Sequence, residues 1–130
     1  MYMVAFLYPN ADGAEFDLSH FVDVHLPLGV GLTAKHLELK PEKIVVYAPV
    51  AGADGDRNSS PHSAISSVFF HSRDEAERFV GLFEVEEAAR RLSEDFPNYT
   101  PGPPEVIVAQ VTELTDMDSL IDRFASMDGG

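Results

Sequence analysis

Four short segments of the chain are apolar at nearly every position. They span residues 1–8, 43–50, 64–70 and 106–111. The first ends at Pro9-Asn10, and the second is followed by Gly52. Short apolar runs bounded by turn residues are typical of buried strands, so the sequence predicts four strands.

Residues 16–28 have the 3.6-residue period of an amphipathic helix. Asp17 is a candidate N-cap, and the apolar stripe consists of Phe21, Val24, His25 and Leu28. Pro27 lacks the backbone N–H that would bond to a carbonyl one turn earlier. We therefore expect the helix to stop or kink near His25 and a polar stretch to follow as far as residue 40.

Two further helices are predicted in the second half of the chain. One begins at the capping box of Ser72 and Glu75, and its apolar face consists of Ala76, Phe79, Val80 and Phe83. It closes at Phe96-Pro97-Asn98. The other is a short terminal helix at about residues 115–127, with Met117, Leu120, Ile121 and Phe124 on one side.

The order of these elements is β-α-β-β-α-β with a terminal helix. This order predicts an α+β, ferredoxin-like fold, in which a four-stranded antiparallel sheet carries two helices on one face. We expect a single domain over residues 1–130, with a core over 1–113 and the terminal helix outside it.

The strands show little of the alternation expected of a sheet with one face in water. The first, second and fourth are apolar throughout, which indicates that both faces of the sheet are buried. Two helices cover one face, and no other segment is large enough to cover the second. The sequence therefore predicts a homodimer in which two sheets pack face to face. Short core strands that are apolar by chance are the alternative.

Composition excludes several classes of function. The chain has 130 residues and no cysteine, which removes disulfides, thiolate catalysis and iron–sulfur clusters. Its formal charge of −13 repels nucleic acid and anionic membranes. No apolar run approaches the roughly 20 residues of a membrane span, and no signal peptide is recognisable. A cytoplasmic location is the default expectation.

His25 is the main candidate for chemistry, because it lies on the apolar stripe where Pro27 interrupts regular hydrogen bonding. A desolvated imidazole stays neutral and accepts a proton near pH 7. A core histidine with satisfied hydrogen bonds is the alternative. His20 lies five residues earlier, about 140° around an α-helix, and should not share a face with His25. We therefore expect no metal site and no cofactor.

The chain also has many aromatic residues for its size, with 9 Phe and 4 Tyr. Aromatic side chains line cavities for small apolar ligands, although they more often simply fill a core. Tyr8 and Tyr47 lie near strand ends and could orient a polar group of a ligand. The candidate substrate-binding residues are Tyr8, Phe21, Tyr47, Phe69, His71 and Phe83. Phosphate-binding loops, dinucleotide motifs and nucleophile elbows are absent from the sequence.

Two motifs resemble those of the EthD family. Residues 16–28 (FDLSHFVDVHLPL) resemble its F-D-x-x-[YH]-[YF]-x-x-x-H-x-P-L signature, and residues 95–100 (DFPNYT) resemble its D-x-P-N-[FY]-[TS] element. The resemblance covers about residues 1–113. Residues 29–32 (GVGL) depart from it, because bulkier and often aromatic residues are expected there.

The resemblance implies a dimeric α+β barrel and singles out His25 as a functional residue. Relatives on this fold include cofactor-independent monooxygenases, cyclases, decarboxylases and haem-binding enzymes. We therefore expect an oxidoreductase-like or lyase-like enzyme that binds a small apolar or phenolic molecule, with His25 as general acid or base. A non-catalytic accessory module with the same pocket is the alternative, and a terminal helix that docks a partner is a third possibility. The acidity of the chain argues against haem.

Overall fold

The computed structural model describes residues 1–11, 15–56 and 59–129. It contains one sheet of four strands: β1 (Tyr2–Pro9), β2 (Lys43–Tyr47), β3 (His62–Phe70) and β4 (Glu105–Gln110). The strand order is β2-β3-β1-β4, and every neighbouring pair is antiparallel. This is the topology of the ferredoxin-like fold, so the α+β class predicted from the element order is confirmed.

The strands are joined by helices that differ in length from the prediction. Helix α1 spans residues 18–37 without a break and comprises Leu18–His20, a π-helical stretch at Phe21–His25 and Leu26–Leu37. Helix α2 (Arg73–Val80) is followed by a 3-10 turn at Gly81–Glu84. Helix α3 (Glu86–Asp95) leads into a second 3-10 turn at Phe96–Asn98, and α4 is Met117–Met127.

Pro27 does not end helix α1, so of the two outcomes expected from the sequence, a stop or a kink near His25, the stop is wrong. The backbone widens into a π-helical stretch just before it, where the N–H of Leu26 bonds to the carbonyl of Phe21. Pro27 then lies in the first turn of the next α-helical segment, a position where a missing N–H is tolerated. The helix therefore continues through residues 29–37, which the sequence had predicted to be a polar connection.

The second predicted helix is divided in two. Ser72 caps α2 as expected, because its hydroxyl accepts a hydrogen bond from the backbone N–H of Glu75. The helix then tightens into the 3-10 turn at Gly81–Glu84, and Val85 adopts an extended conformation before α3 begins. Two short helices thus replace one long helix, and they place Leu82 and Leu92 in the core.

The core lies between the sheet and helices α1, α2 and α3. Alternate residues of β1, namely Val4, Phe6 and Tyr8, point into it and belong to the main apolar cluster. Their partners on β3, Val68, Ser66 and Ala64, are also buried. The helix side of β1 and β3 is therefore covered within the protomer.

The other face of the sheet carries the intervening residues. It includes Val45, Ile65 and Phe69, together with Tyr47 and Ile107, which are 52% and 41% exposed. Within the described ranges, helices α1, α2 and α3 pack on the opposite face. We name this apolar surface the open face. The dimer that the sequence predicts across it stays a prediction.

Helix α4 stands apart from the core. Asp116 caps it by accepting from the N–H of Ser119, and none of its residues is buried. Its apolar side is open to solvent, and Phe124 is 60% exposed. None of the helices in the described ranges is long and apolar enough to span a membrane.

Replacing Ser72 by alanine removes the side-chain acceptor at the start of α2. We expect the free energy of unfolding to fall by about 1 kcal/mol, because the N–H of Glu75 loses its partner. Urea unfolding measures this change. The matched control is Ser93→Ala within α3, where the serine is exposed and alanine favours the helix. An equal effect of the two substitutions contradicts the capping role.

Candidate functional site

The segments around residues 16–25 and 95–100 meet at the start of helix α1. The backbone N–H of Asp17 donates to the carbonyl of Tyr99 at 2.8 Å. The carboxylate of Asp17 also accepts from the N–H of His20 and so caps the helix. The first of these bonds holds together two segments that lie more than 70 residues apart in the sequence.

Asp95 joins the two segments through its side chain. One carboxylate oxygen lies 2.9 Å from Nδ1 of His25, and the other lies 2.7 Å from Nε2 of His20. Asn98 donates to the same oxygen as His20, at 3.0 Å. Burial opposes ionisation of this carboxyl, but the hydrogen bonds from Asn98, His20 and His25 outweigh it and lower the pKa of Asp95.

The chemistry of Asp95 fixes the direction of the hydrogen bonds beyond it. An ionised carboxylate only accepts, so Nδ1 of His25 carries the proton and donates. In a neutral ring Nε2 then accepts, and it does so from the Tyr99 hydroxyl at 3.1 Å. The oxygen of Tyr99 in turn accepts from the Tyr8 hydroxyl at 3.0 Å. The result is an ordered chain, which we name the relay: Tyr8, Tyr99, His25 and Asp95.

His20 and His25 lie on the same side of helix α1, contrary to the expectation from sequence. That expectation used the α-helical turn, which separates residues five apart by about 140°. In a π-helix the hydrogen bonds join residues i and i+5, and the stretch Phe21–His25 follows His20 directly. Both rings therefore reach the single carboxylate of Asp95.

Aromatic rings enclose the imidazole of His25. Its ring centre lies 4.4 Å from that of Tyr99, 5.5 Å from that of Phe96 and 5.8 Å from that of Phe21. The residue is 8% exposed. This desolvation lowers the pKa of His25 below its usual 6.5, although the hydrogen bond that the ring donates to Asp95 acts in the opposite direction. His25 is therefore neutral at pH 7.

Burial also favours the neutral forms of the two phenols, Tyr8 and Tyr99, because it disfavours their charged forms. It raises the pKa of Tyr8 to about 12, partly offset by the hydrogen bond to Tyr99. It also raises the pKa of Tyr99 well above its usual range, and the neighbouring Tyr8 adds to the effect. Near neutral pH both phenols therefore keep their protons, and Nε2 of His25 carries no proton.

A cavity of about 50 Å³ lies beside the relay, between the sheet and the helices. The sheet contributes Phe6, Tyr8, Ile44, Ser66 and Val68. The helices and their turns contribute Phe21, His25, Leu26, Gly29, Val30, Phe79, Leu82, Phe83 and Leu92, and Pro41 completes the lining. The volume exceeds that of a water site but is smaller than the roughly 150 Å³ of an apolar cavity that holds benzene. It therefore suits a slender ligand or the narrow end of a larger one.

Gly29 widens this cavity on the side of helix α1. A Cβ at this position would lie 4.0 Å from Cδ2 of Leu92, which is an ordinary contact. The neighbouring atoms would therefore tolerate a Cβ at this position, and the effect of the glycine is to leave this space in the cavity open. The departure from the bulkier family pattern at residues 29–32 thus opens the wall beside His25.

Three of the six predicted substrate-binding residues, Tyr8, Phe21 and Phe83, line the cavity together with His25. The other three lie outside the cavity wall, and a role for them in substrate binding stays a prediction. The strand period of two turns Tyr47 and Phe69 to the open face. His71 lies beyond the end of β3, where its exposed ring pairs with Glu42 at 2.6 Å.

Sequence reasoning missed three residues of this site. It quoted Asp95 and Tyr99 as part of a motif, but no spacing rule connects them with a histidine 70 residues away. No motif or periodicity points to Ser66, whose hydroxyl is the one side-chain polar atom in the described ranges that is buried without a hydrogen-bond partner. Such a group costs roughly 1–3 kcal/mol. In the same ranges, no cluster of histidine, aspartate and glutamate has the arrangement of a metal site.

The solved structures that resemble this chain include the following three. An EthD-like protein of Ralstonia eutropha has a TM-score of 0.67 and 20% identity, and the match covers 89% of this chain and 96% of that one. An EthD family protein of Bacillus halodurans has a TM-score of 0.57 and 12% identity, with 86% and 99% covered. A protein of Arabidopsis thaliana has a TM-score of 0.51 and 11% identity, with 88% and 97% covered.

No protein-family model and no curated protein sequence matches the chain. The chain nevertheless shares the fold of EthD-like proteins over most of its length. The resemblance predicted from the two motifs is therefore confirmed at the level of the fold.

Neutral, buried His25 makes folding sensitive to acid. Because its pKa is lowered in the folded protein, the unfolded chain takes up a proton first as the pH falls below about 6.5. Stability is therefore lost from that pH downwards until the folded pKa is reached. We expect His25→Gln to reduce the loss between pH 8 and pH 5.5 by up to about 1 kcal/mol in urea unfolding.

The exposed His71 provides the control, because His71→Gln removes a histidine without touching the relay. We expect the loss of stability between pH 8 and pH 5.5 to be smaller in His25→Gln than in His71→Gln. Identical pH dependence in wild type and His25→Gln contradicts a neutral His25.

Proposed function

We propose that this chain is an EthD family protein that binds a small, mainly apolar molecule in the cavity and acts on it by proton transfer. His25 is the general base or acid, and Tyr99 and Tyr8 carry the proton between its ring and the ligand. One observation carries the proposal. The oriented, neutral imidazole of His25 accepts a hydrogen bond from an ordered chain of two hydroxyls that begins at Tyr8 in the cavity wall.

The family assignment rests on the fold and on the two motifs together. The fold alone does not decide function. Here, however, the residues that carry the resemblance are the residues that form the site. His20 and His25 of the first motif share the carboxylate of Asp95 from the second, and Tyr99 of the second bonds to His25.

The proton step follows from the order of donors in the relay. A ligand O–H or an acidic C–H gives its proton to the oxygen of Tyr8 as the Tyr8 proton passes to Tyr99. The Tyr99 proton passes to Nε2 of His25. The products are a ligand anion and an imidazolium, whose charge the carboxylate of Asp95 stabilises. The reverse sequence makes His25 the acid. Positioned proton transfer of this kind contributes typically 10²–10⁴-fold in rate.

This step is common to several reactions. Removal of a proton next to a carbonyl or from a hydroxyl group begins cyclisation, decarboxylation and cofactor-independent oxygenation alike. The volume of the cavity limits the reacting part of the ligand to a few heavy atoms. The rest of a larger molecule would lie over the partly exposed side chains of Leu26, Val30 and Phe83.

A specific observation favours a second function, that of a non-catalytic binding module. Both ring nitrogens of His25 are already hydrogen-bonded, so the imidazole offers no free nitrogen to a ligand. In that case the relay would only fix the shape of the cavity. Proton exchange on a bound molecule distinguishes the two functions.

The probe is butanone in D₂O, with the exchange of its α-hydrogens followed by NMR. We expect the wild type to accelerate the exchange above buffer, and His25→Gln to lower the acceleration at least 100-fold. Tyr99→Phe breaks the relay and should have the same effect, whereas the exposed His71→Gln should leave the rate unchanged. Binding without exchange supports the binding module, and the absence of binding overturns both functions.

We further propose that the protein is a homodimer that closes on the open face. The support is the run of apolar side chains on that face, including the half-exposed Tyr47 and Ile107. Packing of a second sheet on this face would remove its apolar surface from water. A face-to-face arrangement also agrees with the dimeric barrel that the family resemblance implies.

Ile107→Glu tests the dimer, because it places a charge within the proposed interface. Val106→Glu is a matched control, since Val106 is 39% exposed against 41% for Ile107 but lies on the helix side of β4. We expect sedimentation velocity to show a dimer for the wild type and Val106→Glu, and a monomer for Ile107→Glu. A monomeric wild type overturns the dimer.

A further inference from the structure

Ser66 is the one polar residue of the cavity wall whose side chain makes no hydrogen bond. It lies on β3 with its side chain on the helix side of the sheet, and it is 1% exposed. In the described ranges its hydroxyl has no hydrogen-bond partner. A buried hydroxyl that no protein group satisfies indicates a partner from outside the chain.

The surroundings of Ser66 explain why the protein does not satisfy it. Its cross-strand neighbours are Phe6 on β1 and Val46 on β2, and both are apolar. Backbone groups of a central strand are taken up by the ladders on either side. A polar partner for the Ser66 hydroxyl therefore has to lie in the cavity.

The relay decides which kind of partner the cavity accepts. Tyr8, His25 and Ser66 are its three polar wall residues. Tyr8 donates its proton to Tyr99 and keeps a free lone pair, and both nitrogens of His25 are engaged. The Ser66 hydroxyl is therefore the one uncommitted side-chain donor among the residues that line the cavity.

Tyr8 and Ser66 lie on the same face of the sheet. Tyr8 pairs with Ala64, so Ser66 is its diagonal neighbour on β3. Diagonal neighbours have backbones about 7–8 Å apart, close enough for one small molecule to contact both side chains. A ligand can thus accept from Ser66 at one atom and give a proton towards Tyr8 at another.

We infer that the ligand is a small carbonyl compound, a ketone or aldehyde with α-hydrogens, whose oxygen accepts a hydrogen bond from Ser66. The inference rests on the proposed function and deepens it. When the relay removes an α-proton, the electron pair of the broken C–H bond forms a C=C bond and the carbonyl π pair moves to oxygen. The Ser66 hydroxyl then stabilises the enolate oxygen, as preorganised donors do at sites where negative charge develops.

Two probes of matched shape separate this role from simple apolar binding. Butanone has the carbonyl oxygen, and 2-methyl-1-butene has a CH₂ group in its place. The variant is Ser66→Ala, which removes the donor without adding bulk. The control is Ser67→Ala, because Ser67 is the adjacent buried serine but lies on the open face, outside the cavity wall.

Affinities of both probes, measured by NMR titration, give the outcome. We expect Ser66→Ala to weaken butanone roughly tenfold and to leave 2-methyl-1-butene unchanged or tighter, while Ser67→Ala changes neither. With [2-¹³C]butanone, the bound carbonyl resonance should lie further downfield in the wild type than in Ser66→Ala. Thermal unfolding should show Ser66→Ala to be at least as stable as the wild type, because the buried hydroxyl is gone.

The possible failures are distinct. Equal loss of both probes in Ser66→Ala, or no loss of butanone, overturns the role of Ser66 while α-proton exchange can still support the relay. Butanone that binds through Ser66 without α-proton exchange overturns the catalytic function and keeps the carbonyl site. If neither probe binds the wild type, both the inference and the proposed function are wrong.

Discussion

The site depends on one carboxylate, Asp95, which is buried between two histidines. Its charge fixes the proton on Nδ1 of His25, and this in turn leaves Nε2 as an acceptor for Tyr99. A neutral side chain at position 95 would not determine the tautomer of His25. The same carboxylate joins the end of helix α3 to helix α1, so the interaction that orients the imidazole also holds two parts of the fold together.

The π-helical stretch Phe21–His25 makes this arrangement possible. On a regular α-helix, His20 and His25 would point in different directions, and one carboxylate could not reach both. The wider turn aligns them and absorbs Pro27 at the start of the following α-helical segment. Single π-helical turns within α-helices are frequent at functional sites, and here the irregularity has an identifiable geometric purpose.

The cavity combines an apolar wall with few polar groups, each in a defined state. Burial keeps Tyr8 and Tyr99 protonated and His25 neutral, while Ser66 keeps an unused hydroxyl. Protein interiors satisfy nearly all buried polar groups, so an unsatisfied hydroxyl beside an apolar cavity is a specific signal. The small volume of the cavity restricts ligand size, and the polar groups restrict its chemistry.

The sequence by itself predicted the strands, the ferredoxin-like topology, the cap at Ser72 and the apolar surroundings of His25. These features follow from local periodicity, from capping and from motifs, which are properties of neighbouring residues. It did not determine that α1 continues past Pro27, that α2 and α3 are separate, or that Tyr47, Phe69 and His71 lie outside the cavity. Tertiary structure alone decided the partners of Asp95, Tyr99 and Ser66, because the side chains that they meet, or fail to meet, come from distant segments. Periodicity identifies the face on which a residue lies, whereas hydrogen-bond partners depend on how those faces pack together.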